Sequence, residues 1–278
     1  MRKLKEYLNR PLSFAVFLLI IISTFITALT VVFIIGYIFI KGVPNLSLDL
    51  FSLKYSSSNQ SMLPSIINTV YLTALTLLLA VPIGIFSAIY LAEYSRKNSF
   101  FVKIINIANE TLSGIPSIVY GLFGFLAFVI SKKWGYSLLA GVITLAIMVL
   151  PLIIRTSQEA MLGVDNTFRE ASYGLGAGKL RTVFKIVLPS AMPGILSGII
   201  LAIGRIVGET AALIYTAGTV PEAATKLTSS SRTISVHLYC LLNEGLYTEQ
   251  AYATAVVLIV FVVIINALSN ALAKKIMK

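Results

Sequence analysis

The chain has 278 residues, of which 57% are hydrophobic and only 12% charged, about half the charged share of a soluble globular domain. Too little polar surface remains to cover a water-soluble fold; the same balance excludes intrinsic disorder, and 18 Gly and 9 Pro without a repeat exclude collagen-like structure. The net charge of +11 fits either a nucleic-acid partner or the basic loops of a polytopic membrane protein, and its placement decides between them.

Crossing a hydrocarbon core about 30 Å thick takes about 20 apolar residues. Six stretches qualify: 13–40, 65–92, 112–130, 136–154, 194–217 and 251–272. The expected fold is therefore all-α, with six transmembrane helices. Arg2, Lys3, Lys5 and Arg10 precede the first stretch as in a signal peptide, but the apolar run is far too long for one, so it is read as a retained anchor. With a cytoplasmic N-terminus, 15 of the 22 Lys and Arg residues fall inside and six outside, with Arg205 within a span. A multi-pass cell-membrane protein with both termini in the cytoplasm is expected, and nucleic acid drops out. Cys240 and His237 are the single residues of their kinds, so no disulfide framework, metal site or cofactor is expected. The chain divides into residues 1–64 (tail, first span and outer loop) and a core of five spans over residues 65–278.

Within the second stretch, Thr69, Thr73, Thr76, Ala80 and Gly84 form one helical stripe, with Pro82 able to kink it. Gly114, Ser117, Gly121 and Gly124 do the same in the third. Small-residue stripes let helix backbones approach closely in lipid, which points to a packed bundle. The mixed segment 94–111 is suited to the membrane interface, and the outer segment 218–250 has room for a short helix or re-entrant piece.

The longest cytoplasmic connection, 155–193, carries the strongest signal. Thr167 and Glu170 have capping-box spacing, which predicts a helix from about Phe168. Gly174, Gly176 and Gly178 should break it, and residues 179–188 should form a second helix stopped by Pro189. Phe168, Ala171 and Leu175 would share a face, and apolar side chains on a polar loop suit a partner protein. The run Gly174 to Lys179 is not a phosphate-binding loop, because Tyr173 and Leu180 occupy the positions that need Gly and Ser or Thr.

In the fifth stretch Arg205 and Glu209 are four residues apart, hence on one face of a continuous helix. Together they cost roughly 5–7 kcal/mol to insert, and ten Leu, Ile and Val between residues 195 and 214 return about 3–6 kcal/mol. Such a helix belongs inside a bundle. The stripe Gly198, Ala202, Arg205, Glu209, Ala212, Thr216 is small or polar throughout and is read as a translocation path, the plainer alternative being a buried ion pair. An Arg on a path selects anions, and its planar fork suits tetrahedral oxyanions. The residues themselves leave phosphate, sulfate and molybdate open.

Glu170, Ala171, Ser172, Gly176, Ile186, Leu188 and Pro189 stand at the intervals of the cytoplasmic signature of ABC-importer permeases, with Ser172 in place of its second Ala. Gly114-Ile-Pro-Ser-Ile-Val-Tyr-Gly121, Ala88-Ile-Tyr-Leu-Ala-Glu-Tyr94 and Gly204-Arg205-Ile-Val-Gly-Glu-Thr-Ala-Ala-Leu213 resemble the phosphate-specific members of that family. The resemblance runs from about residue 66 to 217 and more loosely onward. It implies a type I importer permease that hydrolyses no ATP itself and pairs with a homologous second permease. Two ABC ATPase subunits would dock on a coupling segment at 161–190, and an extracytoplasmic phosphate-binding protein would dock outside. A permease for sulfate or molybdate is the nearest rival. An ion-coupled carrier would work without an ATPase, and a scaffold would have no use for a charged stripe.

Overall fold

The computed structural model describes residues 11–95 and 99–276. Arg2, Lys3, Lys5, Arg10, Arg96, Lys97 and Lys278, part of the orientation argument, lie outside the described residues. No strand occurs among those described, and five helices are long and apolar enough to cross a membrane, with a sixth crossing if one bent helix pair counts as a span.

Helix α1 (Pro11–Gly42) is apolar on every side and packs on the last helix, α11 (Thr248–Ile276), with Gly42 against Tyr252 and Val256. Helix α2 (Leu63–Ile89) is prolonged by a π-helical turn, Tyr90–Tyr94. Its stripe Thr69, Thr73, Thr76, Ala80, Gly84 is buried, and α2 packs on α5 (Leu138–Leu162) so closely that a Cβ on Gly84 would come 2.6 Å from Ile153. Helix α5 runs two turns past the expected end at residue 154, so Arg155 is helical rather than in a loop.

The third span is not the continuous helix expected over 112–130. Helix α3 (Phe100–Gly114) and helix α4 (Ser117–Gly124), which continues as a π-helical stretch Phe125–Ser131, meet at 101°. Pro116 has no N–H to continue α3 and holds Ile115 extended at φ −71°, ψ 130°. With Phe100, Phe101 and Ile107 exposed and Val102 buried, α3 has the amphipathic character expected at an interface. The bend removes Gly114 from the small-residue stripe, whereas Gly121 abuts Ala212, and Gly124 abuts Thr144 and Thr216.

After α5 come α6 (Asn166–Gly174) and α7 (Lys179–Thr182), then a π turn, Val183–Val187, that leads directly into α8 (Leu188–Val207). Pro189 therefore does not stop this helix. It lies directly after the π turn, within the continuous helical run. The helical run begins at Lys179 rather than at 194 and breaks at Gly208, before the short α9 (Ala211–Thr216).

On the face opposite α6, the segment after α9 folds back on the bundle and includes α10 (Ile234–Glu244), the short helix expected there. The Asn68 amide donates to the carbonyls of Glu222 (3.0 Å) and Arg232 (3.1 Å), and its oxygen accepts from the Ala224 N–H (2.8 Å). The Thr69 hydroxyl accepts from the Ile234 N–H (3.0 Å). His237 is wholly buried, beside Tyr55, on whose ring the Arg232 guanidinium stacks at 4.7 Å.

Asn68→Ala removes three hydrogen bonds and strands backbone groups in a buried place. It should cost roughly 3 kcal/mol, read as a lower thermal midpoint in detergent, while Asn68→Asp should lose less. Burial, and then the Arg232 charge, lower the His237 pKa from 6.5 to about 3. Above pH 6.5 the imidazole is neutral whether folded or unfolded. Below it, down to pH 3, the unfolded chain takes up a proton that the fold refuses, and stability falls by about 1.4 kcal/mol per pH unit. Unfolding midpoints between pH 7 and 4 should therefore fall less steeply in His237→Leu.

Candidate functional site

Helix α6 is a surface element held by its neighbours. The Asp165 carboxylate accepts the Thr167 N–H at 2.9 Å, so Asp165 is the N-cap and the helix starts at Asn166, two residues before the expected start. The capping box between Thr167 and Glu170 is not formed, because Asp165 already serves that helix end. Hydrogen bonds from Thr167 hold the Asp165 carboxyl below its ordinary pKa. At the other end Gly176, at φ +79°, turns the chain toward α7, and the buried hydroxyls of Ser172 and Thr182 meet at 2.8 Å.

The seven signature residues separate into two groups. Glu170 and Ala171 are exposed, alongside Phe168 and Leu175, which are 55% and 89% exposed. Ser172 is buried on Thr182, Gly176 makes the turn, and Ile186 is half-buried. Leu188 packs with Val183, Val187 and Met161, and Pro189 is exposed. One set presents a surface; the other sets its angle.

Arg205 and Glu209 are not a pair. The helix they were expected to share ends at Val207, and among the described residues neither takes part in a salt bridge. Glu209 is buried, and its carboxylate accepts the Ala212 N–H at 3.1 Å while its carbonyl accepts from the Ser235 hydroxyl at 2.7 Å. Its carboxylate thus caps α9. The stripe also divides: Gly198 packs on Thr156, Ala212 on Gly121 and Thr216 on Gly124, so these small residues serve packing within the chain.

Arg205 instead lines a cavity of about 570 Å³ with Ser197, Gly204 and Asn266, walled by Leu152, Ile200 and Leu201. It is half-buried in the last turn of α8, within electrostatic reach of the Tyr120 phenol. The Asn266 side-chain oxygen is buried without a hydrogen-bond partner. The guanidinium fork in this apolar-walled cavity is suited to a small oxyanion, whereas the Asn266 oxygen, an acceptor only, could meet no more than a hydroxyl on that anion. Asn266 escaped the sequence reading, although an amide in the apolar run of the last span was a usable signal. A smaller cavity of about 200 Å³ on the α6 side contains Glu110 and the Arg155–Glu159 pair (2.9 Å), both of whose side chains are more than half exposed.

Residues 80–278 match the family of binding-protein-dependent transport system inner membrane components. The phosphate transport system permease protein PstA of Pasteurella multocida is 34% identical over 269 residues, covering 95% of this chain and 93% of its own. A probable ABC transporter permease of Bacillus subtilis, YqgI, is 32% identical over 259 residues, covering 87% and 88%. In the crystal structure of a bacterial ABC transporter that imports the acidic polysaccharide alginate, one chain superposes with a TM-score of 0.68 at 18% identity, over 100% of both chains, which shows the shared fold. The matched family model and the near full-length permease relatives together place this multi-pass membrane chain among the inner-membrane permease components of binding-protein-dependent ABC transport systems.

Proposed function

We propose that this chain is one of two homologous permease subunits of an ATP-driven phosphate importer. The observation that supports the substrate class is Arg205, which has no carboxylate partner among the described residues and lines an apolar-walled cavity. The near full-length likeness to PstA supports phosphate among the oxyanions.

In this reading the α6 side and both termini are cytoplasmic, and two ABC ATPases dock on the permease pair, one of them on Phe168, Glu170 and Ala171. A phosphate-binding protein docks on the opposite face, over α10 and its flanking segment. ATP binding closes the ATPases, α6 moves with them, and the pathway opens outward to receive phosphate. Arg205 meets the anion in passing, since a site that bound tightly would not release it. Glu209 contributes by holding the α8–α9 break beside that path.

Labelled-phosphate uptake should disappear in cells lacking this chain and under ATP depletion, and should resist excess sulfate or molybdate. Loss of sulfate or molybdate uptake instead would overturn the substrate. Arg205→Ala should lower uptake about tenfold to hundredfold in an assembled complex, the equivalent of losing one charge-assisted contact of roughly 1.5–3 kcal/mol. Arg205→Lys should recover part of it. Uptake unchanged in Arg205→Ala would remove Arg205 from the pathway.

A further inference from the structure

Arg169 lies between Phe168 and Glu170 but points the other way, into the protein. Its Nε donates to both Glu93 carboxylate oxygens at 3.1 and 3.4 Å, and its Nη2 reaches one of them at 2.6 Å. Nη1 donates to the Val164 carbonyl at 2.7 Å, and Nη2 to that of Met161 at 2.8 Å. The Arg169 and Glu93 side chains are only 12% and 6% exposed. One guanidinium thus joins three elements: α6, the carbonyls at the end of α5, and the π turn that ends α2.

The placement follows from simple electrostatics. The last carbonyls of α5 have no intrahelical partners and carry the negative end of its dipole, so they favour a cation. Glu93 neutralises that cation and is itself shielded from water, and removing one member of a buried pair leaves the other uncompensated. The Lys179 ammonium adds a second contact to the same turn, 4.9 Å over the Tyr94 ring. The surrounding cluster, with Ala88, Met161, Val183 and Val187, is apolar and carries no directional bonds.

We propose that Glu93 and Arg169 are positioning residues that lock α6 to the end of α2, so that movement of α6 is delivered to the α2–α5 pair as a rigid unit. This rests on the reading of the chain as an ATPase-coupled permease. Chain connectivity links α6 to α5 and α8 but never to α2. The ion pair supplies the direct polar link from α6 itself, and the packing of Gly84 on Ile153 then carries α2 and α5 together. Glu170 and Ala171 would receive the push, and Arg169, one residue away, would pass it on.

The test uses the whole complex in proteoliposomes: both permeases, the ATPases and loaded phosphate-binding protein. Phosphate imported per ATP hydrolysed is measured for wild type, Glu93→Gln, Glu93→Asp and Arg169→Lys. Glu93→Gln and Arg169→Lys should assemble, keep basal hydrolysis within about twofold, and lower the import ratio about tenfold, with Glu93→Asp recovering much of it. Should Glu93→Gln fail to assemble, Arg169→Lys, which leaves the Glu93 carboxylate facing a cation, decides the matter. An unchanged ratio in assembled variants, or a lower yield of complex with a normal ratio, overturns the proposal.

A second readout needs no substrate. Spin labels at Tyr173→Cys and Phe86→Cys, in a Cys240→Ser background, should keep one separation when ATP is added to the wild-type complex and change separation in Arg169→Lys. A separation that already changes in wild type overturns the lock. Failure of the wild type to import phosphate while that separation holds would sink the substrate reading and leave the lock standing.

Discussion

Hydrocarbon supplies no hydrogen-bond partners, so a chain that breaks a helix at membrane depth must satisfy the freed backbone groups from within. This chain interrupts apolar helix at Ile115–Pro116 and at Gly208–Thr210. At the first, the Tyr120 hydroxyl reaches back to the Leu112 carbonyl at 2.8 Å. At the second, Glu209 accepts from Ala212, and Ser235 donates to Glu209. The elements that follow the two breaks also pack on each other, because Gly121 of α4 lets the backbone at Ala211 and Ala212 of α9 come into contact. A side chain at Gly121 would separate them, so one missing Cβ supports two interruptions.

The same economy explains the segment after α9. Asn68 and Thr69 stand on the first turns of α2, a long and well-packed helix, and from there they bind the backbone at Glu222, Ala224, Arg232 and Ile234. A segment with little regular structure is thereby held by a rigid one. On the α6 side the arrangement repeats with different chemistry, since a guanidinium collects the ends of α2 and α5. Each face of the bundle has its irregular chain pinned by a few polar side chains on α2 or its continuation.

How far this was legible in the sequence depends on which signals accumulate. Hydropathy adds over many residues, so the apolar stretches were placed well, and the α2 stripe was found because five small positions share one period. A break adds nothing to such a sum. Ile115–Pro116 and Gly208 were passed over because a sum over some ~20 residues stays apolar even with Ser113, Gly114, Arg205 and Glu209 beside the breaks. The Arg205–Glu209 relation failed for the same reason, since four-residue spacing implies a shared face only in an unbroken helix. The signature in α6 and α7 was legible as a unit, but its division into exposed Glu170 and Ala171 and structural Ser172, Gly176 and Leu188 needed the packing. Asn68 was missed because a single polar residue near a span's end forms no pattern, and Asn266 because its amide was passed over inside an apolar run.

The break after Val207 also explains how Arg205, without a carboxylate partner among the described residues, is tolerated in an apolar helix. Arg205 lies in the last turn of α8, where carbonyls without intrahelical partners and the negative end of the helix dipole favour a positive charge. A carboxylate partner would stabilise the guanidinium more, but it would also cancel the field that an anion meets. Carbonyl dipoles stabilise the charge and leave it uncancelled. Glu209, the carboxylate close by in sequence, is instead engaged with Ala212 and Ser235 beyond the break. The interruption after α8 therefore makes the half-buried charge affordable and, in the proposed reading, leaves it free to act on an anion.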